Sequence, residues 1–328
     1  MNVGHELNLV TGATGFMGSR LCNSLVADGL AIRKLVRHGT GSPDEVVGDL
    51  YDLVALERAC CGVGTIFHCA GYAHAFSSKT NDEAAMHWRI NFEGTKNLVE
   101  AAIRAGVKQF VFLSSVKAMG EPGEICADEN FPGLPETAYG QAKRAAEDAV
   151  LEAGRHFGMQ VTNLRLSMVY GAGGRGNLER MARLVERGLF PPLPETGNHR
   201  SLVHINDVVD AIRHVSGCEL ANGRTYIVAS KEAPSGRALF DALCVAQGLQ
   251  KYRWSVPEFL LRSIGTLGDG GEAVFRRRLP VDSEVIERLL GSAWYSPACI
   301  ERELGWCARV SLEDGLAEMT AGIPSSDN

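Results

Sequence analysis

The sequence predicts an α/β protein with a doubly wound parallel sheet and a smaller C-terminal lobe. Short apolar strands alternate with helical segments up to about residue 166, and repeated strand–helix units build parallel sheets. A glycine-rich turn joins the first strand to the first helix. After Tyr170 the alternation stops, and glycine-rich and proline-rich stretches follow. We therefore assign residues 1–166 to a sheet domain completed by about 202–231, and residues 167–201 and 232–328 to the smaller lobe.

The composition is that of an ordinary globular protein. Of the 328 residues, 45% are hydrophobic and 22% are charged, with a net charge of −6. An acidic chain has no general attraction for nucleic acid, so we expect no such partner. The nine cysteines are scattered without metal-ligand spacing, which predicts reduced thiols and no metal site. Because no apolar run has membrane-spanning length and a strand begins near the N-terminus, we expect a cytoplasmic protein without membrane contact.

The first strand and helix carry the pattern of a dinucleotide site. The strand Leu7 to Val10 runs into a turn with Gly12, Gly15 and Gly18, and a helical pattern follows. Glycines at this spacing permit a tight turn, close approach of backbone amides to a diphosphate, and close packing of helix on sheet. The turn therefore predicts a Rossmann-type unit.

The end of the second strand bears on which dinucleotide is bound. This strand, Ile32 to Val36, ends at Arg37, and no acidic residue appears between Arg33 and Pro43. An acid at this position favours NAD, whereas an arginine favours the 2′-phosphate of NADP. We therefore favour NADP and keep NAD as the alternative.

Polar and small residues follow the next two strands. The strand Thr65 to His68 leads into Cys69, Ala70 and Gly71, and Ser115 follows the strand Phe110 to Leu113. Ligands bind at the carboxyl ends of such strands. We interpret His68 as a satisfied core histidine, since its setting is apolar.

The segment from Ala138 to Lys143 predicts acid–base chemistry. An Ala- and Glu-rich helical run places Tyr139 and Lys143 four residues apart on one helix face. An ammonium near a phenol lowers the phenol pKa, so Tyr139 could exchange a proton with a substrate hydroxyl or carbonyl. Ser115 would hydrogen-bond the same oxygen. Such a trio interconverts alcohols and ketones and needs a hydride carrier.

Together these motifs resemble the extended short-chain dehydrogenase/reductases, which include sugar-nucleotide epimerases, dehydratases and reductases, over about Leu7 to Glu318. The resemblance implies that Asp49 and Leu50 flank the adenine, and that Asn91 braces the catalytic helix. It also implies a homodimer through helices around 91–105 and 140–156. The implied catalytic residues are Ser115, Tyr139, Lys143 and Asn91. The implied cofactor-binding residues are Gly12, Thr14, Gly15, Phe16, Met17, Gly18, Arg37, Asp49, Leu50, Cys69, Ala70, Gly71, Tyr139 and Lys143.

Polar residues of the smaller lobe look like the segments that such enzymes place on a nucleotide diphosphate. Arg175 and Asn177 lie in one of them, and Arg200 lies in another. Arginine suits this task because its planar fork matches phosphate oxygens. The resemblance thus implies a nucleotide-sugar substrate, with UDP as the favoured nucleotide.

Departures from the family pattern narrow the activity. Val116 and Lys117 stand where 4,6-dehydratases carry an Asp-Glu pair, which argues against dehydratase activity. Ala73 stands where UDP-galactose 4-epimerase has a lysine. We favour an NADPH-dependent reductase of a UDP-4-keto sugar over a 4-epimerase with tightly held NAD⁺. A non-catalytic NADP-binding regulatory protein is a third alternative.

Two features outside these motifs receive structural interpretations. The segment Val256 to Leu267 carries apolar residues at helical spacing, which we assign to the core in preference to a membrane surface. The arginines of Arg276 to Arg278 are interpreted as a solvated helix face.

Overall fold

The structure, a computed structural model, describes residues 7–72, 81–174, 176–275 and 282–322. Three features singled out in the sequence, Ala73, Arg175 and the run Arg276 to Arg278, lie outside these residues. Within them, no helix combines the length and the hydropathy that crossing a membrane requires.

A seven-stranded parallel sheet forms the larger domain, as the alternating pattern predicts. Its strands run in the order β3-β2-β1-β4-β5-β6-β9. The order reverses next to β1, and ligands of such sheets bind outside the carboxyl ends of the strands at this point. The strands are β1 (Leu7–Thr11), β2 (Ile32–Val36), β3 (Glu45–Val47), β4 (Val63–His68), β5 (Gln109–Ser115), β6 (Gln160–Leu166) and β9 (Arg224–Val228).

The helices between these strands cover both faces of the sheet. A π-helical turn over Trp88–Glu93 joins α3 to α4, and 3₁₀ turns cover Val116–Met119 and Glu219–Ala221. The helices are α1 (Phe16–Ala27), α2 (Leu53–Cys60), α3 (Asn81–His87), α4 (Gly94–Ala105), α5 (Ala138–Phe157), α6 (Asn177–Glu186), α7 (Ile205–Ser216), α8 (Gly236–Ala246), α9 (Glu258–Phe275), α10 (Ser283–Leu290), α11 (Ala298–Leu304) and α12 (Leu312–Ala321).

Successive residues of the central strands point into two separate cores. Val10 and Phe67 belong to a core that includes residues of α1 and α7, whereas Leu9, Ile66 and Phe110 belong to a core with residues of α2, α4 and α5. A strand buried on both faces needs apolar residues at every position, which explains why these strands read as continuous apolar runs.

One strand does not go where the sequence analysis placed it. The segment Ser201 to Ile205 was expected to return to the main sheet, but β8 (Leu202–His204) pairs instead with β7 (Met168–Tyr170) in a separate two-stranded sheet. The N–H of Ser201 donates to the carbonyl of Ala293, 2.9 Å away, so the smaller lobe holds this strand from its other side. Strand β9 does return to the main sheet, next to β6.

The assignment of residues 256–267 to the core is also wrong in part. Phe259, Leu260, Ile264 and Leu267 are all exposed, although Leu261 is buried. Helix α9 packs closely on the start of α10 at Gly265. A Cβ at this position would lie only 3.0 Å from the Cα of Ser283. Small residues permit this close approach, and the large apolar side chains remain outside.

Candidate active site

The turn after β1 is shaped for a bound diphosphate. Gly12 has a φ of 66°, and a Cβ there would lie 2.7 Å from the backbone nitrogen of Ala70. A Cβ at Gly18 would lie 2.1 Å from the carbonyl oxygen of Gly12. Gly15 is exposed and caps α1 without a side chain, so the first amides of the helix face outward. Exposed amides at a helix N-terminus bind anions, and this turn therefore fits a dinucleotide.

The exposed side of this turn consists of Thr14 and Gly15, with Phe16 and Met17 half-buried behind them. Gly12 and Gly18 instead make the close contacts within the turn. The three glycines therefore have two roles: Gly12 and Gly18 permit the tight turn, and Gly15 is the one that a diphosphate would approach.

Two further groups of predicted cofactor residues lie at carboxyl ends of strands. Arg37 directly follows β2 and is exposed. The carboxylate of Asp49 accepts from the N–H groups of Tyr51 (2.7 Å) and Asp52 (3.1 Å), so it orders the turn before α2. Leu50 is buried, and a Cβ at Gly94 would lie 2.9 Å from its side chain.

The residues after β4 lie close to the predicted catalytic lysine. The N–H of Ala70 donates to Thr11 Oγ1 at 3.2 Å, and burial raises the pKa of the Cys69 thiol. A Cβ at Gly71 would lie 3.5 Å from Lys143 Nζ. The ribose side of the predicted cofactor site and the catalytic helix are therefore in direct contact.

Helix α5 presents the predicted catalytic pair as the sequence indicates. Thr137 Oγ1 accepts from the N–H of Gly140 at 3.1 Å and caps the helix. A Cβ at Gly140 would lie 2.3 Å from the carbonyl oxygen of Lys117, so the helix start packs tightly on the turn that follows β5. This packing brings Tyr139 near Ser115, whose hydroxyl draws the pKa of the phenol downward.

The electrostatics of Tyr139 and Lys143 differ from the expectation. Lys143 Nζ donates to the carbonyl of Leu113 at 2.8 Å and lies 4.6 Å from the ring centroid of Phe112. Burial lowers the pKa of Lys143 to about 8. Burial also raises the pKa of Tyr139, and Ser115 only partly offsets this. The lowering of this pKa by Lys143 that the helix spacing predicts is not found.

Asn91 holds the chain segment that follows Gly71. Its Oδ1 accepts from the N–H of Tyr72 at 2.8 Å, and its Nδ2 donates to the carbonyl of Tyr72 at 2.9 Å. Asn91 is buried and lies in the π-helical turn, where the sequence analysis expected a regular helix. Single π-helical turns occur often at functional sites, since they reorient one side chain within a helix.

A hydrogen-bonded network that the sequence analysis missed connects the glycine turn to Asn91. Thr95 Oγ1 donates to the carbonyl of Asn91 (2.8 Å), so it accepts from His68 Nε2 (2.9 Å). His68 Nδ1 then accepts from Thr11 Oγ1, 2.7 Å away. Burial lowers the pKa of His68 to about 3, which keeps the ring neutral. The interpretation of His68 as a satisfied core histidine is confirmed.

A second missed residue, Glu147, lies one helical turn beyond Lys143. It accepts from Ser114 Oγ at 2.6 Å and forms a bidentate ion pair with Arg165, with N–O distances of 3.0 and 2.8 Å. Its charge opposes the effect of burial on the pKa of Lys143. The sequence does indicate this position of Glu147, because Tyr139, Lys143 and Glu147 follow one another at a spacing of four residues, which places them on one helix face.

A third missed residue, His87, lies against Tyr139, the predicted catalytic tyrosine. Its ring centroid is 5.5 Å from that of Tyr139 and 4.9 Å from that of Tyr72. Its Nδ1 lies 3.2 Å from the carbonyl of Tyr72, and burial lowers its pKa. No sequence pattern indicates this placement, since it depends on how α3 packs on α5.

The predicted diphosphate residues lie in the smaller lobe. Asn177 is exposed at the first position of α6. Arg200 Nη1 donates to the carbonyl of Gly291 at 3.3 Å, and burial lowers the pKa of its guanidinium. A missed residue, Glu179, is buried beneath the preceding loop, because a Cβ at Gly174 would lie 2.0 Å from its Oε1.

A comparison of sequences gives the family. A profile of the NAD dependent epimerase/dehydratase family matches residues 8–229, which is more than half of the chain. This protein belongs to the NAD-dependent epimerase/dehydratase family. The match spans the sheet domain and every predicted catalytic residue, and it agrees with the resemblance drawn from the motifs.

Two proteins of similar sequence and one similar structure bear on the activity of this family member. The UDP-glucose 4-epimerase of Vibrio cholerae is 29% identical over 98% of this chain and 96% of its own. The N-acetyl-α-D-glucosaminyl-diphospho-ditrans,octacis-undecaprenol 4-epimerase of Escherichia coli O157:H7 is 29% identical over 63% of this chain and 62% of its own. The structure of MoeE5 in complex with UDP-glucose and NAD is similar with a TM-score of 0.76 and 25% identity, covering 96% of this chain and 98% of that one.

Proposed function

We propose that this protein is an NAD-dependent 4-epimerase of a sugar linked to a diphosphate carrier, with UDP-sugars as the first substrates to test. The observation that carries the proposal is the meeting of Ser115, Tyr139 and Lys143 beside Gly71. The alignment with the Vibrio cholerae 4-epimerase over nearly the whole chain supports epimerisation over the reduction that the sequence analysis favoured.

In this proposal each residue of the trio has one task. Tyr139 accepts the proton of the sugar 4-hydroxyl, which requires the phenolate form that burial disfavours, and later returns the proton to the same oxygen. Ser115 hydrogen-bonds that oxygen throughout, and Lys143, whose ammonium lies beside Gly71, would bind the cofactor ribose there. When bound, NAD would supply a reversible acceptor for the hydride of carbon 4. Carbon 4 inverts because the 4-keto sugar turns over and receives the hydride on its opposite face. Since hydride and proton both return, the reaction has no net oxidation.

The remaining residues hold the reactants. Gly15 and the first turn of α1 would receive the cofactor diphosphate, and Asn91 fixes the segment after Gly71. Arg200 and Asn177 would bind the substrate diphosphate. Val116 is buried and Lys117 forms an ion pair with Glu121, so neither supplies the extra acid and base of a dehydratase.

The carrier could be a lipid as well as a nucleoside. The Escherichia coli relative is named for a sugar on undecaprenyl diphosphate. A diphosphate-binding arginine does not distinguish a uridine from a polyprenol on its far side. Both substrate classes therefore belong in the first assays.

A specific observation keeps an NADP-dependent 4-ketoreductase as the second candidate. Arg37 lies exposed directly after β2, and no ion pair of Arg37 is found within the described residues. An unpaired guanidinium at this strand end suits the 2′-phosphate of NADP. A reductase also releases its cofactor at every turnover, whereas an epimerase keeps it.

The deciding experiment identifies the cofactor that travels with the protein. The purified protein is denatured, the released nicotinamide nucleotide is quantified, and UDP-glucose, UDP-N-acetylglucosamine and undecaprenyl-diphosphate N-acetylglucosamine are assayed for their C4 epimers. Near-stoichiometric NAD⁺ together with epimerisation supports the proposal. An empty protein that binds NADPH, reduces a UDP-4-keto sugar and epimerises nothing would establish the reductase instead.

A variant separates either enzyme from a regulatory cofactor-binding protein. Tyr139→Phe removes one hydroxyl and should lower turnover by about 10³-fold or more while cofactor binding is unchanged. Lys108→Met, at an exposed position outside the site, is the control. A wild-type protein that binds cofactor and turns over none of these substrates would favour the regulatory alternative.

A further inference from the structure

Helix α9 presents an apolar surface to solvent. Phe259, Leu260, Ile264 and Leu267 are 67%, 43%, 48% and 74% exposed, and Trp254 just before the helix is 58% exposed. Leu260, Ile264 and Leu267 follow the spacing of one helical stripe. These five side chains are called the α9 surface below. Scattered exposed apolar residues are ordinary, but a stripe of large ones on a single helix marks an interaction site.

The described charged residues of the same helix are exposed, and they pair with one another or with α10. Arg262 pairs with Glu258 at 2.8 Å and with Glu287 of α10. Asp269 accepts from the hydroxyl of Ser283, at the start of α10. A surface helix normally places its charges outward and its large apolar residues inward. Helix α9 instead leaves large apolar residues exposed alongside its paired charges, so its outer side is suited to a partner that is itself apolar.

Unpaired cations border the α9 surface. Lys251 and Arg253 are exposed beside Trp254, and no ion pair of either is found in the part of the chain that the structure describes. Arg237 bonds the carbonyls of Tyr252 and Trp254 and thereby fixes this border. Aliphatic side chains, a tryptophan and flanking cations are the composition of segments that lie in the interface of an anionic membrane.

The α9 surface belongs to the structural unit that carries the proposed diphosphate arginine. The N–H of Val256 donates to the carbonyl of Pro192 at 2.9 Å, and Asn198 Nδ2 donates to the carbonyl of Gly291 at 2.9 Å, just beyond α10. Arg200 bonds that same carbonyl. A membrane on the α9 surface would therefore lie against the lobe that receives the substrate carrier.

We propose that the α9 surface docks on an anionic lipid bilayer, with the helix lying in the membrane interface. The docking depends on the residues of α9 and its cationic border, whatever the reaction. The biological role of the docking rests on the proposed function, because an epimerase on the membrane would meet sugars carried on a polyprenyl diphosphate. This proposal departs from the expectation of no membrane contact and from the assignment of these apolar residues to the core, because the structure leaves them exposed.

Vesicle binding tests the docking without any assay of activity. The full chain is sedimented with vesicles of phosphatidylglycerol and phosphatidylcholine, and with vesicles of phosphatidylcholine alone. We expect binding to the anionic vesicles, weakened by salt, and at least about tenfold weaker binding of the double variant Ile264→Glu, Leu267→Glu. Both positions are exposed in the folded chain, so the variant should fold, and circular dichroism would check this.

A matched control carries the same charge change elsewhere. Leu220 and Val54 are 71% and 66% exposed, and the double variant Leu220→Glu, Val54→Glu should bind vesicles like the wild type. Wild-type protein that stays in the supernatant with both vesicle types would overturn the proposal, as would equal loss in both double variants. If the Ile264→Glu, Leu267→Glu variant instead dissociates a wild-type dimer and no vesicle binding occurs, the α9 surface joins two copies of this chain.

Discussion

At the scale of single residues, burial dominates the chemistry of the proposed catalytic pair. Tyr139 and Lys143 both have pKa values displaced toward the neutral form, because Lys143 is buried and Tyr139 is half-buried where α5 packs on β5. The spacing of four predicted their shared helix face, but it could not predict that Lys143 bonds the carbonyl of Leu113. Which acceptor a lysine finds is decided by the strand packed against its helix.

The buried lysine should destabilise the fold near neutral pH. Its pKa falls from 10.5 to about 8 on folding, so the unfolded chain binds more protons and stability rises with pH between those values. Lys143→Met removes a penalty of about 3 kcal/mol and one hydrogen bond of about 1 kcal/mol, so the variant should be roughly 2 kcal/mol more stable at pH 7 and inactive. Urea unfolding at several pH values measures this. If the difference in unfolding free energy between Lys143→Met and wild type stayed constant as the pH rises, the prediction would be contradicted.

Breaking the buried ion pair one turn further along should have the opposite effect. Glu147→Gln leaves the guanidinium of Arg165 buried without its carboxylate, and should lower the free energy of unfolding by about 3–5 kcal/mol. Asp148→Asn is the matched control, because Asp148 pairs with Arg144 on the exposed face of the same helix. Denaturant unfolding of the two variants compares them, and equal losses would show that the burial of Glu147 is unimportant.

At the scale of elements, the π-helical turn is the feature that the periodic pattern could not show. The sequence indicates one helix up to Ala105, whereas the structure inserts the turn Trp88–Glu93 and places Asn91 within it. Thr95, at the start of α4, bonds the carbonyl of Asn91, and His68 on the neighbouring strand β4 bonds Thr95 in turn. A helix defect that depends on a strand partner has no local signature in sequence.

The network around this turn should be sensitive to one hydroxyl. Thr95→Val preserves shape but leaves the His68 Nε2–H without its acceptor, and we expect a loss of about 1–3 kcal/mol in unfolding free energy. Turnover should fall further than stability explains, because the carbonyl of Asn91 would lose the hydroxyl of Thr95 that bonds it. Thr40→Val, at an exposed position, is the control. Unaltered stability and turnover in Thr95→Val would rule out a positioning role for the network.

At the scale of the whole molecule, the outer surfaces of the helices decide what the protein associates with. The resemblance implies a dimer through α4 and α5, and the structure places Trp88 next to this region, 43% exposed and 4.7 Å from the ring of Phe92. We expect the wild type to sediment as a dimer and Trp88→Glu as a monomer, since a buried carboxylate would disrupt an apolar interface. Leu220→Glu should remain dimeric. A monomeric wild type would contradict the expectation.

The sequence by itself determined the sheet domain, the glycine turn and the positions of Ser115, Tyr139 and Lys143, because each follows from local periodicity or from the spacing of a few residues. The tertiary structure decided what those residues contact. In the folded chain Lys143 donates to a backbone carbonyl, and His68 is linked to Asn91 through Thr95. Strand β8 pairs with β7, and the large apolar residues of α9 remain exposed. The spacing of apolar residues predicts that a helix has an apolar face, but only tertiary packing decides whether that face is covered. In α9 the face that packs on α10 contains Gly265, because a glycine permits a closer approach than a leucine.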